Sequence, residues 1–214
     1  MGGLPQAELD ALLAAGRTRR HLRGEVLLRE GDAATSVLLI VSGLVKLTKT
    51  AASGRQAVLE LRGPGDPVGE LGAIDKQPRS ANVVAVGDVE VVVLSAHRFD
   101  ALVQKRSALA HRLLVTVVGR LREASARQLE LGTVDVVARV CRRLAELAAL
   151  GTSIDGGVLV RAELSQQDLA DWAGISRDGV VRALHELRTL GWLETGRRRL
   201  MIQDLDAIRR RGHG

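Results

Sequence analysis

Two hydrophobic rhythms divide the chain near its middle. Short Val/Leu/Ile runs at residues 26–28, 37–41, 45–47, 58–61 and 89–94 are separated by Gly31-Asp32, Ser53-Gly54, the stretch from Gly63 to Pro67, and Gly87-Asp88. Regular short strands between turn signals predict a rolled antiparallel sheet. Ahead of it, Leu4, Leu9, Leu12 and Leu13 are spaced as on a short amphipathic helix. From Phe99 the period becomes helical. Ala110, Leu114, Val117, Leu121, Ala124, Gln128 and Leu131 alternate steps of four and three, a seam that suits a parallel pair of helices from two copies of the chain. The alternative packs this helix on the β-domain of the same chain, and Leu109, Leu113 and Val118, off the seam, are the residues for that.

The last third punctuates itself. Asp135 is placed to cap a helix running to Leu150, with Gly151 as its stop. The alternating apolar residues and two glycines of 152–163 predict a hairpin. Ser165 then caps a helix through Gln166, Asp168, Leu169, Ala170 and Trp172, and Gly174 breaks it. Ser176 caps the next helix, which runs to Arg188 with Val180, Ala183, Leu184 and Leu187 facing inward. Two helices joined by a tight glycine turn form a helix-turn-helix. Arg177, Asp178 and Arg182 lie opposite the apolar face near the start of the second helix, the part of a recognition helix that meets base edges. Arginine forks to the two acceptors of guanine, and a carboxylate accepts from the cytosine amine. Trp192 to Thr195 and Leu200 to Ile202 read as two strands around the basic tip of Arg197, Arg198 and Arg199, a wing that grips phosphate. Ser165, Gln166, Ser176, Arg177, Asp178, Arg182 and Arg197 are therefore the expected DNA contacts, whereas Arg188 and residues 209–211 read as a solvated face.

Charge sharpens this picture. The net charge is +6, and residues 1–100 carry equal numbers of acidic and basic side chains, so the whole excess lies in 101–214. A basic C-terminal half suits a polyanion, although a solvated arginine-rich surface would give the same balance. Aromatics make up 1% of the chain, too few for the stacking platforms that single-stranded nucleic acids require. No apolar run reaches the roughly 18–20 residues of a membrane span, no signal-peptide core begins the chain, and Cys141 is the sole cysteine, so the expectation is a cytoplasmic protein. No Ser–His–Asp, metal or phosphate-loop pattern points to an enzyme.

Gly69-Glu70-Leu71-Gly72, followed by Arg79-Ser80-Ala81, carries a second chemistry. Arg79 offers a charge-assisted fork to a phosphodiester, Ser80 a hydroxyl donor and Glu70 an acceptor for a sugar hydroxyl, and the glycines admit close backbone approach. Taken singly, Glu70 and Arg79 could be a surface ion pair and Ser80 a turn residue. As a set they resemble the phosphate-binding cassette of the cyclic-AMP receptor protein/fumarate-nitrate regulator (CRP–FNR) family. The resemblance covers nearly the whole chain and includes Gly24, Glu30-Gly31-Asp32, Gly43, Gly54 and the helix from Ser176 to Arg182, where Asp178 replaces the usual Glu and Gly179 the usual Thr.

The resemblance implies an α+β chain: a β-roll sensor (a cyclic-nucleotide-binding jelly roll) over 1–104, a long dimerisation helix over 105–134 and a winged helix-turn-helix over 135–214. It implies a homodimeric transcription regulator acting on double-stranded DNA, with RNA polymerase as a further partner. It further implies an effector site of Gly69, Glu70, Leu71, Arg79, Ser80 and Ser125, with cyclic AMP as the expected effector. The family's adenine-reading Thr-Ser pair falls on Ala124 and Ser125, so one hydroxyl is missing. That loss of about 1–3 kcal/mol opens cyclic GMP, another effector or ligand-free DNA binding as alternatives. An iron–sulfur sensor would need more cysteines than Cys141, and His21, His97 and His111 are too scattered to read as haem ligands. A cyclic-nucleotide-binding interaction module is the alternative of another class.

Overall fold

The computed structural model describes residues 5–50, 54, 56–160, 163–196 and 199–213, with the side chains of 129 and 131–133 left out. The chain divides into two compact units, residues 1–49 with 60–127, and 50–59 with 128–214.

The first unit opens with α1 (Gln6–Ala15), then β1 (Arg17–His21), β2 (Val26–Leu28), β3 (Ser36–Ser42), β4 (Val45–Thr50), β5 (Gln56–Arg62), β6 (Pro67–Val68), α2 (Glu70–Asp75), β7 (Asn82–Ala85), β8 (Val89–Ser95), α3 (Ala96–Lys105) and α4 (Ser107–Thr133). The strands form two four-stranded sheets, ordered β1-β8-β3-β6 and β2-β7-β4-β5, with antiparallel pairing of β1 and β3 to β8 and of β2 and β4 to β7. The predicted rolled sheet is present, and all five apolar runs lie in strands.

Strand β3 explains why its run is unbroken. Val37, Leu38, Leu39 and Ile40 are all buried, but they serve two cores. Leu38 and Ile40 join Val45, Val68, Val83 and Val91; Val37 and Leu39 join Leu12, Phe99, Leu109 and Leu113 from the helices. One sheet is thus covered on both faces, which removes the polar half of the usual alternation. Gly43 turns the chain from β3 into β4 with φ +83°, and a Cβ there would sit 2.3 Å from the Asp88 carbonyl oxygen.

The sequence pattern did not show β1. Its residues Arg17, Thr18, Arg19, Arg20 and His21 are polar because the strand lies at a sheet edge and is largely exposed. Its pairing rests on the backbone ladder to β8, with Arg20 and Glu90 bridged across it at 2.9 Å.

The second unit contains the first residues of β5 and the end of α4, then α5 (Val136–Ala148), β9 (Thr152–Ile154), β10 (Gly157–Val160), α6 (Gln166–Ala173), α7 (Arg177–Thr189), β11 (Leu193–Gly196), β12 (Arg199–Ile202) and α8 (Leu205–His213). Asp135 caps α5 as expected, its side chain accepting from the Ala138 amide at 2.9 Å. Both predicted hairpins form, and β10 pairs with β12 to merge them into one sheet, β11-β12-β10-β9.

Arg188 is exposed, as the solvated-face reading has it, whereas Arg211 is only partly exposed. Arg211, on α8, forks to Asp135 at 2.8 and 3.1 Å, and Arg188 donates to the Thr195 hydroxyl at 3.2 Å. The reason is local: α8 packs on α5 and brings Arg211 to the carboxylate that caps it. Arg143 is a buried charge in this unit. Only 1% exposed, it pairs with Glu130 at 2.9 Å and Glu146 at 3.0 Å and lies over the Trp172 ring.

Candidate effector cassette and DNA-reading helices

The cassette begins where β6 ends. Gly69 takes φ +77°, and a Cβ there would fall 2.5 Å from Arg79 Nη1 and 2.7 Å from Leu28 Cδ1. Glycine is required both by conformation and by space. Gly69→Ala is expected to cost about 1–2 kcal/mol in the left-handed conformation alone and to displace the Arg79 side chain; urea unfolding of the purified protein measures the first.

Arg79 arrives from the other end of the loop, its backbone tied to the turn at residues 31–32. Its amide donates to the Asp32 carbonyl and its carbonyl accepts from the Gly31 amide, both at 2.9 Å. The guanidinium donates to the Gly69 carbonyl at 2.7 Å and to the Ser36 carbonyl and hydroxyl. Burial lowers its pKa, against the charges of Glu70 and Asp32. Ser80 and Leu71 are exposed on either side of it along the chain.

Glu70 is 2% exposed, and Arg79 is not the residue it pairs with. Arg62, on β5, donates to both of its oxygens at 3.1 and 3.2 Å, and Arg120, on α4, reaches Oε1 at 2.5 Å. Both arginines also meet Glu60, Arg62 at 3.0 Å and Arg120 at 3.2 Å. The four side chains close a ring of alternating charge that joins β5, α2 and α4. Burial by itself would push the Glu70 carboxyl up; the charges of Arg62 and Arg120 outweigh it and hold the group below the ordinary carboxylate range. Arg62 gains in turn, for Glu70 and Glu60 keep its pKa raised despite desolvation.

Sequence reasoning missed the roles of Arg62 and Glu60, since a charged residue in a strand reads as surface. The available signal was their spacing: Val58, Glu60 and Arg62 alternate along β5, and Val58 and Arg62 are both buried.

On α4, Leu109 and Leu113 are buried against the sheet, as one reading of that helix required, while Val118 is 39% exposed and takes no such part. Leu114 and Leu121, two of the predicted seam residues, are 61% and 66% exposed. Leu131, the last of that seam, lies among the side chains not described. Ser125 is exposed, its hydroxyl donating to the Leu121 carbonyl at 2.9 Å, and Ala124 beside it is exposed as well.

The second unit presents the reader. Ser165 caps α6 in a reciprocal box: its hydroxyl accepts from the Asp168 amide at 3.0 Å, and the Asp168 carboxylate accepts from the Ser165 amide at 3.0 Å. Gly174 ends α6 in the left-handed region, and Ser176 caps α7 by accepting from the Gly179 amide at 3.1 Å. Val180, Ala183, Leu184 and Leu187 are buried as predicted. Arg177, Asp178 and Arg182 are exposed, as is Gln166. Arg197 lies outside the described residues.

Comparison with known proteins follows the same division. Residues 18–106 match the cyclic nucleotide-binding domain family, and residues 138–211 match the Crp-like helix-turn-helix domain family. The chain is 33% identical over 194 residues to the cyclic AMP receptor protein of Thermus thermophilus, covering 91% of this chain and 87% of that one. It is 30% identical over 190 residues to a CRP-like cAMP-activated global transcriptional regulator of Mycobacterium tuberculosis, covering 88% and 85%. The solved structure of FixK2 from Bradyrhizobium japonicum shares the fold, with a TM-score of 0.79 at 23% identity over 91% of this chain and 96% of that one. Two sheets bearing the Gly69–Ser80 loop, a long helix and a capped helix-turn-helix thus follow one another along the sequence, and with these relatives the chain belongs to the CRP–FNR family of transcription regulators.

Proposed function

We propose that this chain is a homodimeric, sequence-specific regulator of transcription whose affinity for double-stranded DNA is set by a cyclic nucleotide bound at the cassette. The observation that carries the effector half is the placing of Arg79 and Glu70, nine residues apart in sequence, as neighbouring buried charges: the guanidinium bonds the carbonyl of the residue just before Glu70. A cation and an acceptor on one short loop match a phosphodiester and a sugar hydroxyl. Gly69, Glu70, Leu71, Arg79 and Ser80 would hold the effector, and Ser125 on α4 would face its base. Cyclic AMP is the reference ligand, because the relatives are a cyclic AMP receptor protein and a cAMP-activated regulator. Cyclic GMP remains the alternative because Ala124 lacks a hydroxyl.

The DNA half rests on α7. Arg177, Asp178 and Arg182 stand exposed on a helix whose opposite side is buried, with Ser165, Gln166, Ser176 and Arg197 as the flanking contacts. Pairing of two chains through α4 would present two such helices to successive major grooves, and an effector that favours one arrangement of α4 would shift the population competent to bind. The reading makes the protein a cytoplasmic regulator with RNA polymerase as a partner, and assigns it no reaction.

Calorimetric titration with cyclic AMP and cyclic GMP tests the first half. Arg79→Leu is expected to weaken binding about ten- to hundredfold. Unchanged affinity in that variant would remove the cassette from the account. For the second half, Arg177→Ala is expected to cost about 1–3 kcal/mol of discrimination in gel-shift assays. Undiminished operator binding by it would favour an interaction module over a regulator.

A further inference from the structure

The recognition helix carries one residue that direct polar readout does not use. Val181 is 39% exposed, and its exposed neighbours on α7 are Arg177, Asp178, Arg182, His185 and Glu186. At 3.6 residues per turn, Val181 lies one turn beyond Arg177 on nearly the same line along the helix, and His185 one turn beyond Val181. The buried side of α7, formed by Val180, Ala183, Leu184 and Leu187, turns the other way. Valine is a weak helix former at a solvent-facing position, where alanine, lysine or glutamate would do better. Neither core packing nor helix propensity accounts for it.

The major groove offers hydrogen-bonding edges and one apolar group, the C5-methyl of thymine. A branched aliphatic side chain flanked by an arginine and a carboxylate is matched to that group and to no other on the base edges. We infer that Val181 reads a thymine methyl in each half-site, as a determinant of sequence preference separate from the arginine contacts. Four residues of helix advance about 6 Å, so the thymine lies within about two base-pair steps of 3.4 Å from the base that Arg177 meets. This inference rests on the DNA-reading role proposed for α7.

Uracil substitution isolates the contact, because replacing thymine by uracil removes the methyl and leaves the hydrogen-bonding edge unchanged. A duplex would first be selected from a randomised library by the full-length protein, in the presence of cyclic AMP and, separately, of cyclic GMP. Each thymine is then exchanged for uracil in turn. The wild-type protein is expected to lose about four- to tenfold in affinity per half-site at one position. Val181→Ala, which keeps a strong helix former at an exposed site but leaves only a short methyl to meet the base edge, is expected to narrow the thymine-to-uracil ratio. Two results would overturn the inference: a wild-type protein indifferent to every methyl, or a Val181→Ala protein with the parental thymine-to-uracil ratio. A protein that selects no duplex at all overturns the regulator reading itself, and this inference with it.

Discussion

Replacing Arg62 by leucine is expected to destabilise the first unit by about 3–5 kcal/mol. Arg62 is 3% exposed and holds three partners at once: Glu70, Glu60 and the Pro67 carbonyl, the last at 2.7 Å. Leucine fills the space but leaves Glu70 to Arg120 alone and the Pro67 oxygen without this donor. The penalty is the desolvation of a carboxylate whose compensation has been halved, and it exceeds the net worth of the original pair. Exchanging Glu70 for leucine as well is expected to recover part of the loss, because an apolar pair leaves no charge stranded. Urea unfolding of the wild type and the two variants decides it. A single-variant loss below about 1 kcal/mol would mean that the ring behaves as a surface ion pair.

The same ring sets an acid response. Glu70 is held below its ordinary pKa by Arg62 and Arg120, in spite of burial. A carboxyl whose folded pKa is depressed binds fewer protons folded than unfolded near its unfolded value of about 4.3. Its contribution is therefore present above that value and is lost as the pH falls through the lower, folded one. Stability of the wild type is expected to decline from about pH 5 downward.

The second large effect is on assembly. Leu114→Glu combined with Leu121→Glu is expected to give a folded monomer that binds operator about 10²- to 10⁴-fold more weakly. In the single chain both side chains are more than 60% exposed, so nothing in their own unit depends on them. Set three and four positions either side of Val117, they form with it an apolar line that a second α4 would cover, and two glutamates facing their copies across the seam would repel. The drop in DNA affinity follows from tethering: two reading helices on one scaffold make the second half-site contact nearly intramolecular. Sedimentation and gel shifts report the two consequences separately. A variant that keeps the parental mass in solution would place the paired surface elsewhere.

What the sequence revealed, and what it hid, follows from where each residue's partners lie. The strands buried on one or both faces announced themselves through Val, Leu and Ile. Strand β1 did not, because an exposed edge needs no apolar side chain. The helix-turn-helix was legible down to its caps, since Ser165 and Ser176 each accept from an amide three residues on, Gly174 donates its own amide to the Ala170 carbonyl four residues back, and local chemistry is written in local sequence. Glu60, Arg62 and Arg120 act on one another across as many as 60 positions; beyond the alternation of Glu60 and Arg62 with Val58, nothing nearby distinguishes them from surface charges. Arg211 escaped notice for the same reason, its partner Asp135 lying 76 residues back. The cassette stands between these cases: Gly69, Glu70, Arg79 and Ser80 could be picked out as a set, but the arginines that occupy Glu70 could not.

The double-sided burial of β3 carries a consequence for misfolding. A strand with one wet face is protected against sliding, since a shift by one position would drown its apolar side chains and strand its polar ones. Residues 37–40 lack that safeguard; either parity finds oil on both sides. The job of fixing alignment passes to the tight corner after β3, where Gly43 admits the Asp88 oxygen so closely that no other residue fits. A bulkier occupant of that corner is expected to produce a population of mispaired ribbons competing with the native one, visible as a slow, aggregation-prone phase in refolding.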